Sequence, residues 1–388
     1  MRSRPPHASA AGALSATCRG EKMTINVTVL GTRGIPDVQG GVETHCQNLY
    51  PEIYRQGSAE VCVIARSPYV NYRRSEYQGV KLKSLWAPKS RKFEAIIHST
   101  LAAFSTLFDG SNVVHVHAVG PGLVVPLLRL LGKRVVFTHH GPDYDRQKWG
   151  RMAKEMLRLG EKWAVKYANE VIVISEVINN LIKHKHGRHN AHVIYNGVRQ
   201  VELPPADRQA AILDKYGLKP GQYIVAVARF VEEKGLHDLI AAYAAAGCSV
   251  PLVLIGDADH ADEYSERLKQ QATATPNVIL TGFISGAPLH TLFSQAGLFV
   301  LPSYHEGLPI ALLEAMSWSL PVVVSDIPAN LEIGLPTENY FPVGNVPALT
   351  QKLQQWITGE KANYSEFMPK YRWPEIAAQT AQVYQRLT

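Results

Sequence analysis

Arg229 and Lys234 stand five residues apart in Val227-Ala228-Arg229-Phe230-Val231-Glu232-Glu233-Lys234-Gly235. Glu306 and Glu314 stand eight apart in Glu306-Gly307-Leu308-Pro309-Ile310-Ala311-Leu312-Leu313-Glu314. An Arg guanidinium forks onto phosphate oxygens and a Lys ammonium adds a point charge. Carboxylates accept hydrogen bonds from sugar hydroxyls. Two cations and two carboxylates together can hold a diphosphate between two hydroxyl-rich groups, which is the shape of a nucleotide sugar.

The elements that must position these groups are legible around them. Gln222 to Ala228 is a near-continuous apolar run, as in a parallel strand buried on both faces. Arg229 leaves its carboxyl end, where open α/β sheets bind ligands. Pro309 suits the first turn of a helix. The free N–H groups of Gly307, Leu308 and Ile310 would then face an anion, helped by the helix dipole. With a rise of about 1.5 Å per residue, Glu306 before the helix and Glu314 within it reach different ends of one ligand.

A second glycine-rich turn follows the first predicted strand, Ile25–Leu30: Gly31-Thr32-Arg33-Gly34, then Gly40-Gly41-Val42-Glu43. A dinucleotide-binding reading fails there. The G-x-G-x-x-G spacing is absent, and the next strand ends Ile64-Ala65-Arg66 without an acidic ribose ligand. His115 and His117 end one strand, and His139 and His140 end its neighbour. Clustered histidines suggest metal. Successive strand residues point to opposite faces, however, so His139 and His140 do not share an ion.

The chain has 388 residues, 46% hydrophobic and 19% charged, the composition of a globular protein of two or three domains. No apolar run reaches the roughly 18 residues of a membrane span. Four cysteines have neither metal-like spacing nor the number for a disulfide framework, which points to a reducing compartment. Residues 1–200 carry 28 Lys and Arg against 14 acids, and residues 201–388 carry 12 against 19. The basic first half predicts an anionic partner, and no nucleic-acid motif accompanies the charge. In Arg151–Tyr167, Met152, Met156, Leu159, Trp163 and Tyr167 form one helical stripe beside Arg151, Lys154, Arg158, Lys162 and Lys166. One reading is a surface helix with a core-facing stripe. The other is that the stripe, with Arg73-Arg74 and Lys89-Ser90-Arg91-Lys92, meets an anionic membrane surface.

Strands and helices alternate throughout, which predicts an α/β protein of two doubly wound, Rossmann-like parallel-sheet domains. The expected divisions are a disordered extension over 1–22, an N-terminal domain over 23–202, and a C-terminal domain over 203–365. Leu203-Pro204-Pro205-Ala206-Asp207 is the linker. A final helix occupies 366–388.

The ordered set of motifs resembles the retaining glycosyltransferases of family 4, which have the GT-B fold of two such domains facing a cleft. Arg229 and Lys234 match the family's "GR-x(4)-KG" segment, and Glu306 and Glu314 its E-x(7)-E motif. Thr138-His139-His140-Gly141, Val173-Ile174-Ser175-Glu176, Tyr195-Asn196-Gly197-Val198 and Thr281-Gly282-Phe283 support the match. The resemblance implies a donor site of Gly40, Gly41, Arg229, Lys234, Gly282, Phe283, Ile284, Glu306, Gly307, Leu308, Pro309, Ile310 and Glu314. His140, Arg229, Lys234 and Glu306 would carry the chemistry. His140 lies near the transferred sugar, and His117 and Asp143 lie on the acceptor side. It further implies no metal and no cofactor beyond a nucleoside-diphosphate-sugar substrate, and a C-terminal helix that returns to the first domain. Gly31-Thr32-Arg33-Gly34-Ile35-Pro36 and Lys148-Trp149-Gly150 are similar to segments of bacterial surface-polysaccharide enzymes. They imply a glycan or lipid-linked glycan acceptor, met in the cytoplasm on the inner face of the membrane. Ser319, where the family often has Gly, and Ala258-Asp259, where Gly-Pro is commoner, depart from the pattern. A sugar-nucleotide 2-epimerase on the same fold, or a non-catalytic sugar-nucleotide-binding subunit, are the alternatives.

Overall fold

The computed structural model describes residues 25–88, 94–142, 144, 150–198, 201–258, 261–356 and 361–388. Expectations for residues 1–22, Lys89–Lys92, Asp143, Lys148-Trp149 and Asp259 lie outside these.

The first sheet is built from β1 (Asn26–Leu30), β2 (Glu60–Arg66), β3 (Arg74–Tyr77), β4 (Val80–Leu85), β5 (Val113–His117), β6 (Arg134–His139), β7 (Glu170–Val173) and β8 (His192–Val193). Its order is β3-β4-β2-β1-β5-β6-β7-β8. All neighbours are parallel except β3, which pairs antiparallel with β4. The second sheet contains β9 (Ile224–Val227), β10 (Leu252–Ile255), β11 (Val278–Gly282), β12 (Leu298–Leu301), β13 (Val322–Ser325) and β14 (Tyr340–Phe341). Its order is β11-β10-β9-β12-β13-β14. The apolar runs form the central strands because both faces are covered by helices. The two strands that pattern did not predict, β3 and β14, are an edge strand of polar residues and a two-residue strand. The first has no apolar face to announce it, and the second is too short to show a period.

Each sheet reverses its winding at one place, between β1 and β5 and between β9 and β12. Crevices open at such switch points, beyond the carboxyl ends of the strands. The two crevices face one another, since His140, just past β6, touches Gly307, just past β12. A Cβ on Gly307 would overlap the His140 carbonyl oxygen.

The last helix, Trp373–Gln385, packs against helix Gly41–Arg55. Trp373, Ile376, Ala377, Val383 and Tyr384 share a buried cluster with Cys46, Leu49, Tyr50 and Ile53. Ser319 has a left-handed backbone, φ 56°. Glycine adopts that conformation without strain, which accounts for the family's glycine there, and the serine holds it at a cost.

Candidate active site

Two loops leave neighbouring strands of the second sheet at its switch point. The first runs from the end of β9 through Arg229 to a 3-10 turn, Glu232–Lys234. The second runs from the end of β12 through Ser303 to Glu306. They are stitched together by backbone. The Tyr304 N–H donates to the Glu233 carbonyl at 2.9 Å, and left-handed Gly235 lies so close to the Pro302 carbonyl that a Cβ would overlap it. This contact places Lys234 Nζ 2.5 Å from Glu306 Oε1, which also accepts from Ser303 Oγ at 2.8 Å. Burial pushes the Glu306 carboxyl up, but the charge and hydrogen bond of Lys234, with Ser303, more than offset this. The net shift is downward, which keeps Glu306 ionised. Arg229 stands half-buried at the end of β9.

Helix Ile310–Ser317 starts one residue later than the sequence suggests. Pro309 is its N-cap, with extended ψ of 109°, rather than its first helical residue. Leu308 and Pro309 are buried, so what they offer a ligand is backbone. Glu314 lies one turn and more into the helix. Burial, with no compensating cation or donor among the described residues, raises its carboxyl to about 7. At the end of β11, Gly282 adopts φ 69° and accepts a hydrogen bond from the Gly256 N–H at 3.1 Å. The turn leaves the Phe283 ring about half exposed while Ile284 packs on the core.

The opposing wall comes from the first sheet. Gly40, φ 148°, precedes helix Gly41–Arg55 and lies against the Glu43 carboxylate, leaving no room for a Cβ. That carboxylate ties the preceding turn by accepting from the Arg33 N–H at 2.8 Å and from Thr32 Oγ1 at 3.3 Å. One turn beyond Gly41, His45 sets its ring edge-on to His140, with centroids 4.9 Å apart. His117 does not line an acceptor surface. It is fully buried, its Nδ1 is 2.9 Å from His140 Nε2, and its Nε2 meets the Tyr50 hydroxyl. Its place is behind His140. His139 turns the other way, onto the buried carboxylate of Glu161 at 3.0 Å, and its Nδ1 accepts the Gly141 N–H at 3.1 Å. Glu161 is held in turn by Tyr144 Oη, Lys185 and His186. Asp143 lies outside the described residues.

Several residues at the site carried no sequence signal of their own. His45 and Glu161 are single polar residues on helices, and their burial depends on which way each helix is turned. Tyr195-Asn196-Gly197-Val198, quoted above only as a motif, is a joint. Burial, and then the charge of Glu332, pushes the Tyr195 hydroxyl up. Asn196 accepts from His45 Nδ1 at 2.8 Å and reaches the Leu308 carbonyl at 3.5 Å. Gly197 admits the Trp373 ring, and the Val198 N–H donates to the Tyr371 carbonyl at 2.7 Å.

Helix Arg151–Tyr167 corrects the core-stripe reading. Its buried residues are Gly160, Glu161, Ala164 and Val165. Gly160 lets it lie directly against the Val119 carbonyl. The predicted apolar stripe therefore lies off the buried face, with Met152 68% and Leu159 38% exposed and Met156 and Trp163 half-buried. Arg158 and Lys162 are exposed beside it. Helix Glu94–Ser105, which packs on the same 3-10 turn Pro121–Val124, exposes Ile97, Leu101 and Phe104, followed by Phe108 at 90%. No helix among the described residues is long and apolar enough to cross a membrane.

Known proteins share this architecture. Residues 39–200 match the model for Glycosyltransferase Family 4, and residues 209–370 match the model for Glycosyl transferases group 1. The chain is 26% identical over 217 residues to the capsular polysaccharide biosynthesis glycosyltransferase CapM of Staphylococcus aureus, covering 53% of this chain and 56% of that protein. It thus spans about half the length of the first curated relatives that it matches. The sucrose-phosphate synthase of Thermosynechococcus elongatus superposes with a TM-score of 0.78 at 21% identity, over 94% of this chain and 99% of that one. HepE of Anabaena, solved in complex with UDP and glucose, superposes with a TM-score of 0.74 at 17% identity, over 93% and 100%. With one family model on each of its two Rossmann-like halves, the chain belongs to the family 4 glycosyltransferases of GT-B fold.

Proposed function

We propose that this protein moves a sugar from a nucleoside-diphosphate sugar to a hydroxyl of a glycan or lipid-linked glycan in bacterial surface-polysaccharide synthesis, with retention of anomeric configuration and without a catalytic metal. The observation that carries this reading is the Lys234–Glu306 pair at 2.5 Å, formed by loops from adjacent strands at a switch point. Lys has three donors, so two remain for a ligand beside the carboxylate. Lys234, Arg229 and the N–H groups of Gly307, Leu308 and Ile310 hold the diphosphate and stabilise the charge that grows on it as the glycosidic bond breaks. They supply the positive charge that a metal supplies elsewhere. Glu314 receives the ribose hydroxyls, and Phe283 with Ile284 lines the base. Glu306 orients the sugar. Gly40 and Gly41 approach the phosphates from the facing wall, and His140 stands by the transferred sugar. Glu306 is not assigned as a nucleophile: its ion pair and its hydrogen bond suit it to positioning. Same-face attack, with the leaving phosphate accepting the acceptor's proton, gives retention.

The acceptor side is proposed to work on the inner face of the cytoplasmic membrane. Exposed apolar side chains beside exposed Arg and Lys, on the more basic half of the chain, suit anionic lipid. Uridine-diphosphate sugars are the first donors to test, because HepE is solved with UDP. The experiment is a nucleotide-sugar screen by thermal stabilisation, followed by assay of the stabilising compound for hydrolysis without acceptor. NMR of the released or transferred sugar reads the anomer. A chain that no nucleotide sugar stabilises, or that converts the donor's sugar into another without cleaving it, overturns the reading.

A further inference from the structure

Behind His140, one ring nitrogen from each of His45, His117 and His140 lies within 4.8 Å of the other two. The three come from separate elements: helix Gly41–Arg55, the end of β5, and the turn after β6. We propose that His45, His117 and His140 form a binding site for a divalent transition-metal ion of the zinc class, in the N-terminal wall of the cleft.

Ligand type and outer hydrogen bonds both suit such an ion. Imidazole nitrogens are ligands for zinc, copper and nickel rather than for magnesium or calcium. A ligating histidine characteristically donates its other N–H to a fixed partner, which sets its tautomer. His45 does this already: its Nδ1 faces Asn196 Oδ1 at 2.8 Å, leaving Nε2 as the lone-pair nitrogen. His117 has the equivalent partner in the Tyr50 hydroxyl at Nε2, leaving Nδ1 for an ion. His115, nearby, is excluded as a ligand. Its Nδ1 is engaged by Tyr384 and Tyr50 and its Nε2 by Thr138.

Zinc–nitrogen bonds of about 2.0–2.1 Å set tetrahedral ligand atoms roughly 3.4 Å apart. The 2.9 Å contact between His117 and His140 must therefore open slightly, and side-chain rotation at half-buried His140 supplies that movement. Binding would exchange the His117–His140 hydrogen bond for two metal bonds and leave a fourth position for water or an anion. The ion would replace the hydrogen bond at His140 with a metal bond and fix its ring, so the site reads as inhibitory rather than as part of sugar transfer.

The test uses the full chain, stripped with EDTA, and needs no sugar donor. Zn2+ is titrated and counted after gel filtration, and Co2+ is added separately to read its visible absorption. The expected result is one Zn2+ per chain at micromolar concentration and the strong visible band of four-coordinate Co2+. In His45→Ala, affinity falls at least tenfold and the band is lost, while circular dichroism matches the wild type. If His45→Ala does not fold, His140→Ala takes its place with the same expectation. Absence of stoichiometric Zn2+ in the wild type overturns the proposal, as does undiminished binding in the folded variant. Loss of binding in a His184→Ala/His189→Ala variant, which alters exposed histidines, also overturns it by placing the ion on the surface.

Discussion

Glu332, in the C-terminal half, accepts a hydrogen bond at 2.6 Å from the backbone N–H of Glu176, in the N-terminal half, and a second at 3.1 Å from that of Val177. These N–H groups open helix Glu176–His186, whose own N-cap, Ser175, accepts at its hydroxyl from the Ile178 N–H. A carboxylate from one domain thus completes the cap of a helix in the other. Such caps stabilise by about 1 kcal/mol, aided by the helix dipole. Glu332→Ala is expected to loosen the two domains. Small-angle scattering of the ligand-free protein should show a larger radius of gyration. An unchanged scattering curve would mean that other contacts hold the domains closed.

Lys234→Met removes the counter-charge of Glu306 and the proposed donor to the diphosphate. Loss of one preorganised donor to developing charge costs on the order of 10²–10³ in kcat. The drop should appear in kcat more than in donor KM, with unchanged circular dichroism. Wild-type turnover in this variant would remove Lys234 from the reaction.

With Glu314 in its proposed place at the ribose, donor binding is expected to depend on pH. Burial raises its carboxyl to about 7, against roughly 4.3 in an unfolded chain. The folded state therefore binds the extra proton between these values. This contribution to stability is complete below the unfolded value and is lost as pH rises through about 7. Ribose hydroxyls donate best to the ionised form, so donor binding should tighten from pH 6 to 8 and release protons near neutrality. Calorimetry in buffers of different ionisation enthalpy reads that release. Glu314→Gln should abolish it, and proton release that persists in this variant would reassign its source.

Ser319 holds φ 56° between helix Ile310–Ser317 and β13. Left-handed backbone costs a non-glycine residue about 1–2 kcal/mol, partly offset by the larger unfolded-state entropy of glycine. Ser319→Gly should therefore stabilise by roughly 0.5–1 kcal/mol, seen as a higher urea midpoint. Ser319→Val should lower it. Equal midpoints for all three proteins would show that the loop relaxes without cost.

The outward stripes of helices Arg151–Tyr167 and Glu94–Ser105 should bind vesicles containing anionic lipid, and salt should release them. Arg158→Glu/Lys162→Glu should weaken the salt-dependent part, and Phe104→Ser/Phe108→Ser the remainder. Sedimentation with vesicles measures both. Binding that is absent at low salt would leave these side chains without a lipid partner.

Sequence alone determined most of the architecture, because central parallel strands are written as apolar runs and the site motifs sit at strand ends. Leu252–Ile255, Leu298–Leu301 and Val322–Ser325 are strands as pattern predicts. Arg229, Lys234, Glu306 and Glu314 stood out because charge beside an apolar run is locally visible. Tertiary structure decided what depends on distance across the chain or on helix rotation. Lys234 meets Glu306 because β9 and β12 are neighbours, although 72 residues separate the two side chains. His117 is withdrawn behind His140, and the Met152 stripe lies off the buried face because Gly160 and Glu161 turn in. A period-3.6 pattern shows that a helix has two faces. Only packing, here Gly160 against Val119, shows which one is inside.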